Sequence, residues 1–296
     1  MGINDFSSVN GLPKDVIKSL AFWTHPLADA LMQDSRGFNR PMMVAMGGPP
    51  HSGKSVFAAH LRDRLDEAGY PTVHLRVSDF RLSKHARERM AESVHPLFAY
   101  SGQIGSHDTR ELERVLLALR AGDVRQPIHI PVYDKQNDVR AAFSQWKVVR
   151  ETPRIVLVSG WTLGAIAEES HQLTTPVNEL ERTRDPDGTW RRTVNQIIRD
   201  DYQPFYGLFD RWTYGKPPSY AAVCDWIVQD HTLWMEQMAE RNADLTDIQK
   251  QSAELLCALC ERPCLASIER LAAKSDYLLT LGEQRRITSF TRQRND

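Results

Sequence analysis

The segment between residues 48 and 55 constrains the fold of this chain more than any other feature. It reads Gly48-Pro49-Pro50-His51-Ser52-Gly53-Lys54-Ser55 and matches the G-x-x-x-x-G-K-[ST] pattern of a phosphate-binding loop. An apolar run typical of a buried strand, residues 41–46, precedes the loop, and apolar residues at helical spacing follow it as far as Gly69. This setting predicts a strand, loop and helix that together bind polyphosphate.

The same segment predicts a site for ATP and Mg²⁺. Backbone N–H groups of the loop and of the helix N-terminus point at phosphate oxygens in such a unit, and Lys54 adds a positive charge beside them. The hydroxyl of Ser55 is of the type that ligates Mg²⁺. Contacts to the nucleotide are therefore expected from the whole loop and the next residue: Gly48, Pro49, Pro50, His51, Ser52, Gly53, Lys54, Ser55 and Val56.

Charge and hydropathy narrow the range of partners. The 296-residue chain has a formal net charge of −1 and no long basic run, so we expect no nucleic-acid partner. It contains no apolar stretch of membrane-spanning length, and its first ten residues are polar. We therefore expect a cytoplasmic protein whose partners are a nucleotide and a small-molecule substrate. The sequence gives no indication of the oligomeric state.

Three cysteines, Cys257, Cys260 and Cys264, follow one another at helical spacing. Their sulfurs could share one face of a helix and bind a metal. The surrounding residues are mostly apolar, however, and cysteine packs well as a small hydrophobic residue in such a face. We favour packing over metal binding.

Strand and helix patterns alternate along the chain, which predicts an α/β fold of the P-loop NTPase type. Such a fold has a parallel sheet with helices on both faces, and its ligands bind at the carboxyl ends of the strands. We predict one domain with a mostly helical C-terminal lobe. Its parts are a helical lead-in (1–40), a nucleotide-binding α/β core (41–165), a helical substrate or lid lobe (176–275), and a last strand and tail (276–296).

Several short motifs then occur in a fixed order. They are Ser78-Asp79-Phe80-Arg81-Leu82, Val94-His95-Pro96-Leu97, Gly102-x-x-Gly105-Ser106-His107-Asp108, Tyr133-Asp134-Lys135 with Asp138 and Arg140, Gly160-Trp161, and Asp185-x-Asp187-Gly188-x-Trp190-Arg191. With these motifs the chain resembles the D-glycerate 3-kinase family of P-loop kinases, over nearly everything from about residue 23 to 281. That family is related to uridine kinase, pantothenate kinase and phosphoribulokinase.

The resemblance implies an ATP-dependent kinase and assigns roles to individual residues. Lys54, Asp79 and Asp134 are the candidate catalytic residues, and Ser55 and Asp79 the candidate Mg²⁺ ligands. The residues expected to contact the substrate are His95, His107, Lys135, Arg140 and Trp161.

Four positions depart from the family pattern. Ser78 and Ser159 stand where the family has acidic residues, and Ser101 and Ile227 stand where it has arginines. A serine with an ordinary pKa cannot replace a carboxylate base, and neither serine nor isoleucine can bind an anion as arginine does. We therefore expect an acceptor other than glycerate.

Two functions from different classes remain open. The chain is a working kinase with another acceptor, or a degenerate kinase that binds nucleotide or a metabolite as a regulatory protein. Individual residues have alternatives too. Asp79 could cap the turn after its strand, Asp108 could cap the following helix, and Asp134 could lie in a solvated turn.

Overall fold

A computed structural model describes residues 13–134, 137–240 and 253–293. In chain order the strands are β1 (Met42–Gly47), β2 (Thr72–Arg76), β3 (Ile128–Ile130), β4 (Tyr133–Asp134), β5 (Val139–Arg140), β6 (Lys147–Val149), β7 (Ile155–Ser159), β8 (Arg211–Lys216), β9 (Tyr277–Leu281) and β10 (Ile287–Arg292). The α-helices are α1 (Lys14–Ser35), α2 (Lys54–Glu67), α3 (Lys84–Ser93), α4 (Thr109–Ala121), α5 (Glu179–Arg184), α6 (Thr189–Ile197), α7 (Gln203–Tyr206), α8 (Tyr220–Glu240) and α9 (Ala253–Lys274).

The central sheet has six strands in the order β10-β9-β8-β1-β7-β2. All neighbouring strands are parallel except β9 and β10, which form an antiparallel hairpin at one edge. Because β1 lies between β7 and β8, every one of its residues is buried. A strand covered on both faces needs apolar residues throughout, which explains the unbroken apolar run in the sequence.

Helices cover both faces of this sheet and create two cores. On one face, Met42, Val44 and Met46 of β1 pack with residues of α1, α2, α8 and β9. On the other face, Met43 and Ala45 pack with residues of α4, α6 and the segment 198–209. Successive side chains of a strand point to opposite faces, so β1 contributes to both cores. The predicted α/β fold with helices on both faces of a mostly parallel sheet is confirmed.

One strand was not expected. Residues 176–240 were predicted to be mostly helical, but β8 lies within this range and pairs with β1 and β9 near the centre of the sheet. Its sequence, Arg211-Trp212-Thr213-Tyr214-Gly215-Lys216, has a charged residue at each end and no apolar run. Only Thr213 and Tyr214 in its middle are buried, so the strand lacks the pattern on which the prediction relied.

Two smaller differences concern the edges of the fold. The pattern of residues 128–133 predicts one strand, but β3 ends at Ile130 and pairs with β6 in a separate antiparallel ribbon. The hairpin strand β10 was also missed, because Ile287–Arg292 is half exposed and mostly polar.

The cysteines of α9 are buried and reduced. Cys260 and Cys264 form a small apolar cluster with Ile268, and burial raises the pKa of the Cys264 thiol to about 12. A neutral thiol in such surroundings behaves as a small hydrophobic side chain.

In the described segments, no helix is long and apolar enough to cross a membrane.

Candidate nucleotide and acceptor site

The phosphate-binding loop follows β1 at the carboxyl edge of the sheet and requires its glycines. Gly48 and Gly53 have positive φ angles of 146° and 80°. A Cβ atom on Gly48 would lie 3.2 Å from the carbonyl oxygen of Gly215, so a larger residue would fill the space beside the loop. Gly53 is the N-cap of α2 and offers no side-chain acceptor, which leaves the first N–H groups of the helix open to phosphate.

Two polar side chains complete the loop. The ammonium group of Lys54 donates a hydrogen bond of 2.7 Å to the carbonyl oxygen of Pro49, so it lies against the loop itself. The hydroxyl oxygen of Ser55 lies 3.5 Å from that of Ser159 at the end of β7. The loop thus combines two glycines, the N-terminus of α2, the ammonium group of Lys54 and the hydroxyl of Ser55. Together these groups fit a nucleotide polyphosphate with its Mg²⁺.

The loop is also attached to the helical lobe through His51. The Nδ1 atom of His51 lies 2.8 Å from a carboxylate oxygen of Asp230 on α8. Asp230 also forms an ion pair of 2.5 Å with Arg285, whose side chain reaches the carbonyl oxygen of His51 at 3.4 Å. These contacts hold His51 at its unusual φ of 59°.

Asp79, the candidate base and metal ligand, lies at the end of β2 and is fully buried. Both of its carboxylate oxygens accept hydrogen bonds from Arg76, at 2.9 and 2.7 Å. The ammonium group of Lys147 lies 3.9 Å away. Asp79 is thus held by cations at the expected edge of the sheet, and its catalytic or metal-binding role stays a prediction.

The loop 102–108 contacts Trp161 at its first residue and carries His107 near its end. The indole N–H of Trp161 donates to the carbonyl oxygen of Gly102 at 2.9 Å, and Nδ1 of His107 lies 2.8 Å from the hydroxyl of Tyr202. Burial, followed by the positive charges of Arg81 and Arg87, lowers the pKa of His107 to about 3. His107 is therefore neutral at physiological pH.

Three further predicted site residues, Asp134, Arg140 and His95, each contact other groups of the protein. The carboxylate of Asp134 accepts hydrogen bonds from the backbone and side chain of Asn137, and Lys135 lies outside the described residues. Arg140 forms an ion pair of 2.7 Å with Glu111. His95 accepts a hydrogen bond from the backbone N–H of Leu97.

Two further expectations can be compared with the structure. Asp108 accepts a hydrogen bond of 3.0 Å from the backbone N–H of Glu111, which confirms it as the N-cap of α4. Ile227, one of the two positions where the family has arginine, is fully buried in the core beside Trp226. The side chain at position 227 therefore packs in the core and does not line an open pocket.

Sequence reasoning missed a set of residues beside the predicted ones. Arg76 and Lys147 surround Asp79, and His74 contacts Ser159. Arg81 lies against Gly102, where a Cβ atom would be 2.9 Å from its guanidinium. Arg81 lies within the motif Ser78-Asp79-Phe80-Arg81-Leu82, so the sequence did mark its segment.

Comparison with known proteins agrees with this architecture. No family model matches the chain. A relative from Schizosaccharomyces pombe, the uncharacterized kinase mug58, is 29% identical over 204 residues, which cover 66% of this chain and 72% of that protein. Among solved structures, D-glycerate 3-kinase from Cryptococcus neoformans has a TM-score of 0.73 at 18% identity, covering 92% of this chain and 99% of its own. The YGR205w protein has a TM-score of 0.71 at 17% identity, covering 94% and 99%.

The chain therefore has the fold of the P-loop kinases. Within that class its structural neighbours include D-glycerate 3-kinase, as the sequence motifs predicted.

Proposed function

We propose that this protein is an ATP-dependent kinase that transfers the γ-phosphate to a hydroxyl group of a small metabolite. The observation that carries the proposal is the complete phosphate-binding loop, with its two left-handed glycines, at the carboxyl end of the central strand β1. The similarity to mug58, which is called a kinase, supports the same conclusion. A P-loop kinase fold with an intact loop is built to hold a nucleoside triphosphate.

On the nucleotide side, the loop backbone from Gly48 to Ser55 would hold the phosphates, with Lys54 exchanging its contact with Pro49 for phosphate oxygens. Ser55 and Asp79 would hold Mg²⁺, which neutralises charge on the phosphates when bound. For Asp79 to do so, Arg76 must turn away. The side chain of Arg76 is 34% exposed and can reach solvent.

On the acceptor side, Asp79 is the first candidate to accept the proton of the substrate hydroxyl and Asp134 the second. We propose that His107 and Trp161 line the acceptor pocket, and that Lys135, Arg140 and His95 contribute from its rim. Glycerate is expected to be a poor acceptor, because Ser101 has no guanidinium with which to bind a carboxylate. The buried position of Ile227 adds nothing to that argument.

The alternative function is a nucleotide-binding regulatory protein without catalysis. Its specific support is that both oxygens of Asp79 are bound by Arg76, while Ser78 and Ser159 supply no other carboxylate at this edge. Nucleotide binding without phosphorylation of any acceptor would favour this function.

The proposal is tested first by calorimetric titration with an ATP analogue and Mg²⁺. Lys54→Ala removes a positive charge at the phosphates and should weaken binding by at least about tenfold. Lys18→Ala, at an exposed position of α1, is the matched control and should bind as the wild type does. Undiminished affinity in the Lys54→Ala protein contradicts the proposed site.

The second test is a screen of phosphate acceptors with ATP and Mg²⁺, covering hydroxy acids, sugars, their phosphate esters and nucleosides. Turnover with one class identifies the acceptor. Efficient phosphorylation of D-glycerate would contradict the expected preference but not the kinase itself.

A further inference from the structure

Arg81 follows the end of β2 and turns its guanidinium toward the loop 102–108. A Cβ atom on Gly102 would lie 2.9 Å from Nη2 of Arg81, and the φ of Gly102 is 86°, so only glycine leaves room here. The guanidinium also lies over the ring of Tyr133, with its central carbon 5.6 Å from the ring centroid. The backbone of Arg81 pairs with that of His107. The group is thus fixed beside the loop that carries His107, a residue of the proposed acceptor pocket.

Unlike its neighbours, the guanidinium of Arg81 has no ion pair or hydrogen bond in the described parts of the chain. Arg87 is fully buried, and it pairs with Asp138 and donates to the carbonyl oxygen of Leu82. The Nε atom of Arg81 is buried and lacks an acceptor, and so does the nearby buried hydroxyl of Ser101. A buried guanidinium nitrogen without an acceptor is costly, so its position points to an anionic ligand.

The charged residues around Asp79 and Arg81 carry an excess of positive charge, which also favours an anionic ligand. Around Asp79 and Arg81, the described residues include four cations and two carboxylates: Arg76, Arg81, Arg87 and Lys147, with Asp79 and Asp138. The set therefore has a net charge of +2. Arg76 and Lys147 lie against Asp79 and Arg87 lies against Asp138, so Arg81 is the cation of this set without an ion pair. Burial lowers the pKa of both groups, consistent with incomplete compensation of their charge.

We infer that Arg81 binds a phosphate ester carried by the acceptor, so that the substrate is a hydroxylated metabolite with one phosphate group. A phosphate ester carries close to two negative charges at neutral pH and matches the excess, whereas a carboxylate carries one. This inference deepens the proposed function and rests on it for the identity of the pocket. It also agrees with the expectation of an acceptor other than glycerate.

The position of Arg81 explains how the pocket could change its ligand. The family's arginine at position 101 is a serine here, and Arg81 approaches the adjacent Gly102 from the end of β2. A cation supplied from a different element places the bound anion differently relative to the phosphate-binding loop. Arg81 is therefore the specificity-determining residue in this inference.

The test measures binding of glycerol 3-phosphate by calorimetry to the wild type, Arg81→Gln and Lys54→Ala. The control is Arg125→Gln, which changes an arginine whose side chain is 87% exposed. Arg81→Gln should weaken the binding of glycerol 3-phosphate at least about tenfold and leave the affinity for the ATP analogue unchanged. Lys54→Ala should weaken the binding of the ATP analogue and leave the affinity for glycerol 3-phosphate unchanged. The two variants therefore test the inference and the proposed nucleotide site separately.

A stability measurement separates binding from structure. Because Arg81 lacks a partner, Arg81→Gln should unfold thermally at or above the wild-type midpoint, and glycerol 3-phosphate should no longer raise that midpoint. Arg81→Lys, which keeps the charge but not the planar fork, should bind with intermediate affinity. Wild-type affinity in Arg81→Gln, an equal loss in Arg125→Gln, or tighter binding of D-glycerate than of glycerol 3-phosphate would each overturn the inference.

Discussion

The Nε2 atom of His74 lies 2.9 Å from the hydroxyl oxygen of Ser159, and both side chains are buried. Ser159 occupies the position of the family's glutamate, and its hydroxyl is also 3.5 Å from that of Ser55 in the phosphate-binding loop. Burial, followed by the charges of Lys147, Arg76 and Arg62, lowers the pKa of His74 to about 3. The neutral pair of His74 and Ser159 thus stands beside the phosphate-binding loop, where the family has an acidic residue.

This contact predicts strong coupling between the two side chains. Ser159→Ala leaves a buried nitrogen of His74 without its partner and should lower the free energy of unfolding by about 1–3 kcal/mol. In a double-mutant cycle with His74→Leu, the double variant should lose less stability than the two single variants lose together. The difference, the coupling energy, should be about 1 kcal/mol. Denaturant titration of the four proteins measures this. Strict additivity would show that the contact contributes nothing to stability.

Asp79 provides a prediction about turnover. Asp79→Asn keeps the shape of the side chain but removes the charge, so phosphorylation of the acceptor should fall by roughly 10² or more while nucleotide affinity changes little. Steady-state kinetics and calorimetry on the same protein measure both effects. Asp225→Asn, at an exposed position of α8, is the control. Wild-type turnover in Asp79→Asn would mean that the carboxylate only holds Arg76.

Elements with strong local patterns were predictable from the sequence. The helix α4 begins and ends where the pattern of Leu112, Val115, Leu116 and Leu119 predicts. The buried strands β1 and β7 are likewise continuous apolar runs. β8 could not be recognised, because its position between β1 and β9 depends on pairing with distant strands rather than on its own residues.

The same distinction applies to the candidate site. The phosphate-binding loop is contiguous in sequence and was predictable residue by residue. The contacts of His51 with Asp230 and of Asp79 with Lys147 join segments that the motifs do not connect. Asp230, for example, is 179 residues from His51, and no local pattern relates them.

Gly160, which follows β7, provides a test of packing at the edge of the sheet. A Cβ atom at this position would lie 2.6 and 2.8 Å from side-chain carbons of Val77, one of them the Cβ itself, so Gly160→Ala forces the turn after β2 to move. We expect a loss of about 1–3 kcal/mol in the free energy of unfolding. Gly207→Ala is the control, since no atom lies within 4 Å of its added Cβ. Equal stabilities of the two variants would contradict the packing shown here.

The last prediction concerns acid. The pKa of His107 is about 3 in the folded protein and about 6.5 in an unfolded chain. Between these values the unfolded state binds more protons than the native state, so stability rises with pH and falls on acidification. From pH 7.5 to pH 5 this one histidine should reduce the free energy of unfolding by about 2 kcal/mol. His74, shifted in the same direction, should contribute similarly.

His107→Asn removes the titrating ring and retains a polar group toward Tyr202. Its loss of stability between pH 7.5 and pH 5 should therefore be smaller than that of the wild type by about 2 kcal/mol. His85→Asn, at an exposed position of α3, is the matched control and should lose as much stability as the wild type. Denaturant unfolding at both pH values measures the difference. If His107→Asn and His85→Asn show the same pH dependence, His107 is not the buried neutral histidine described here.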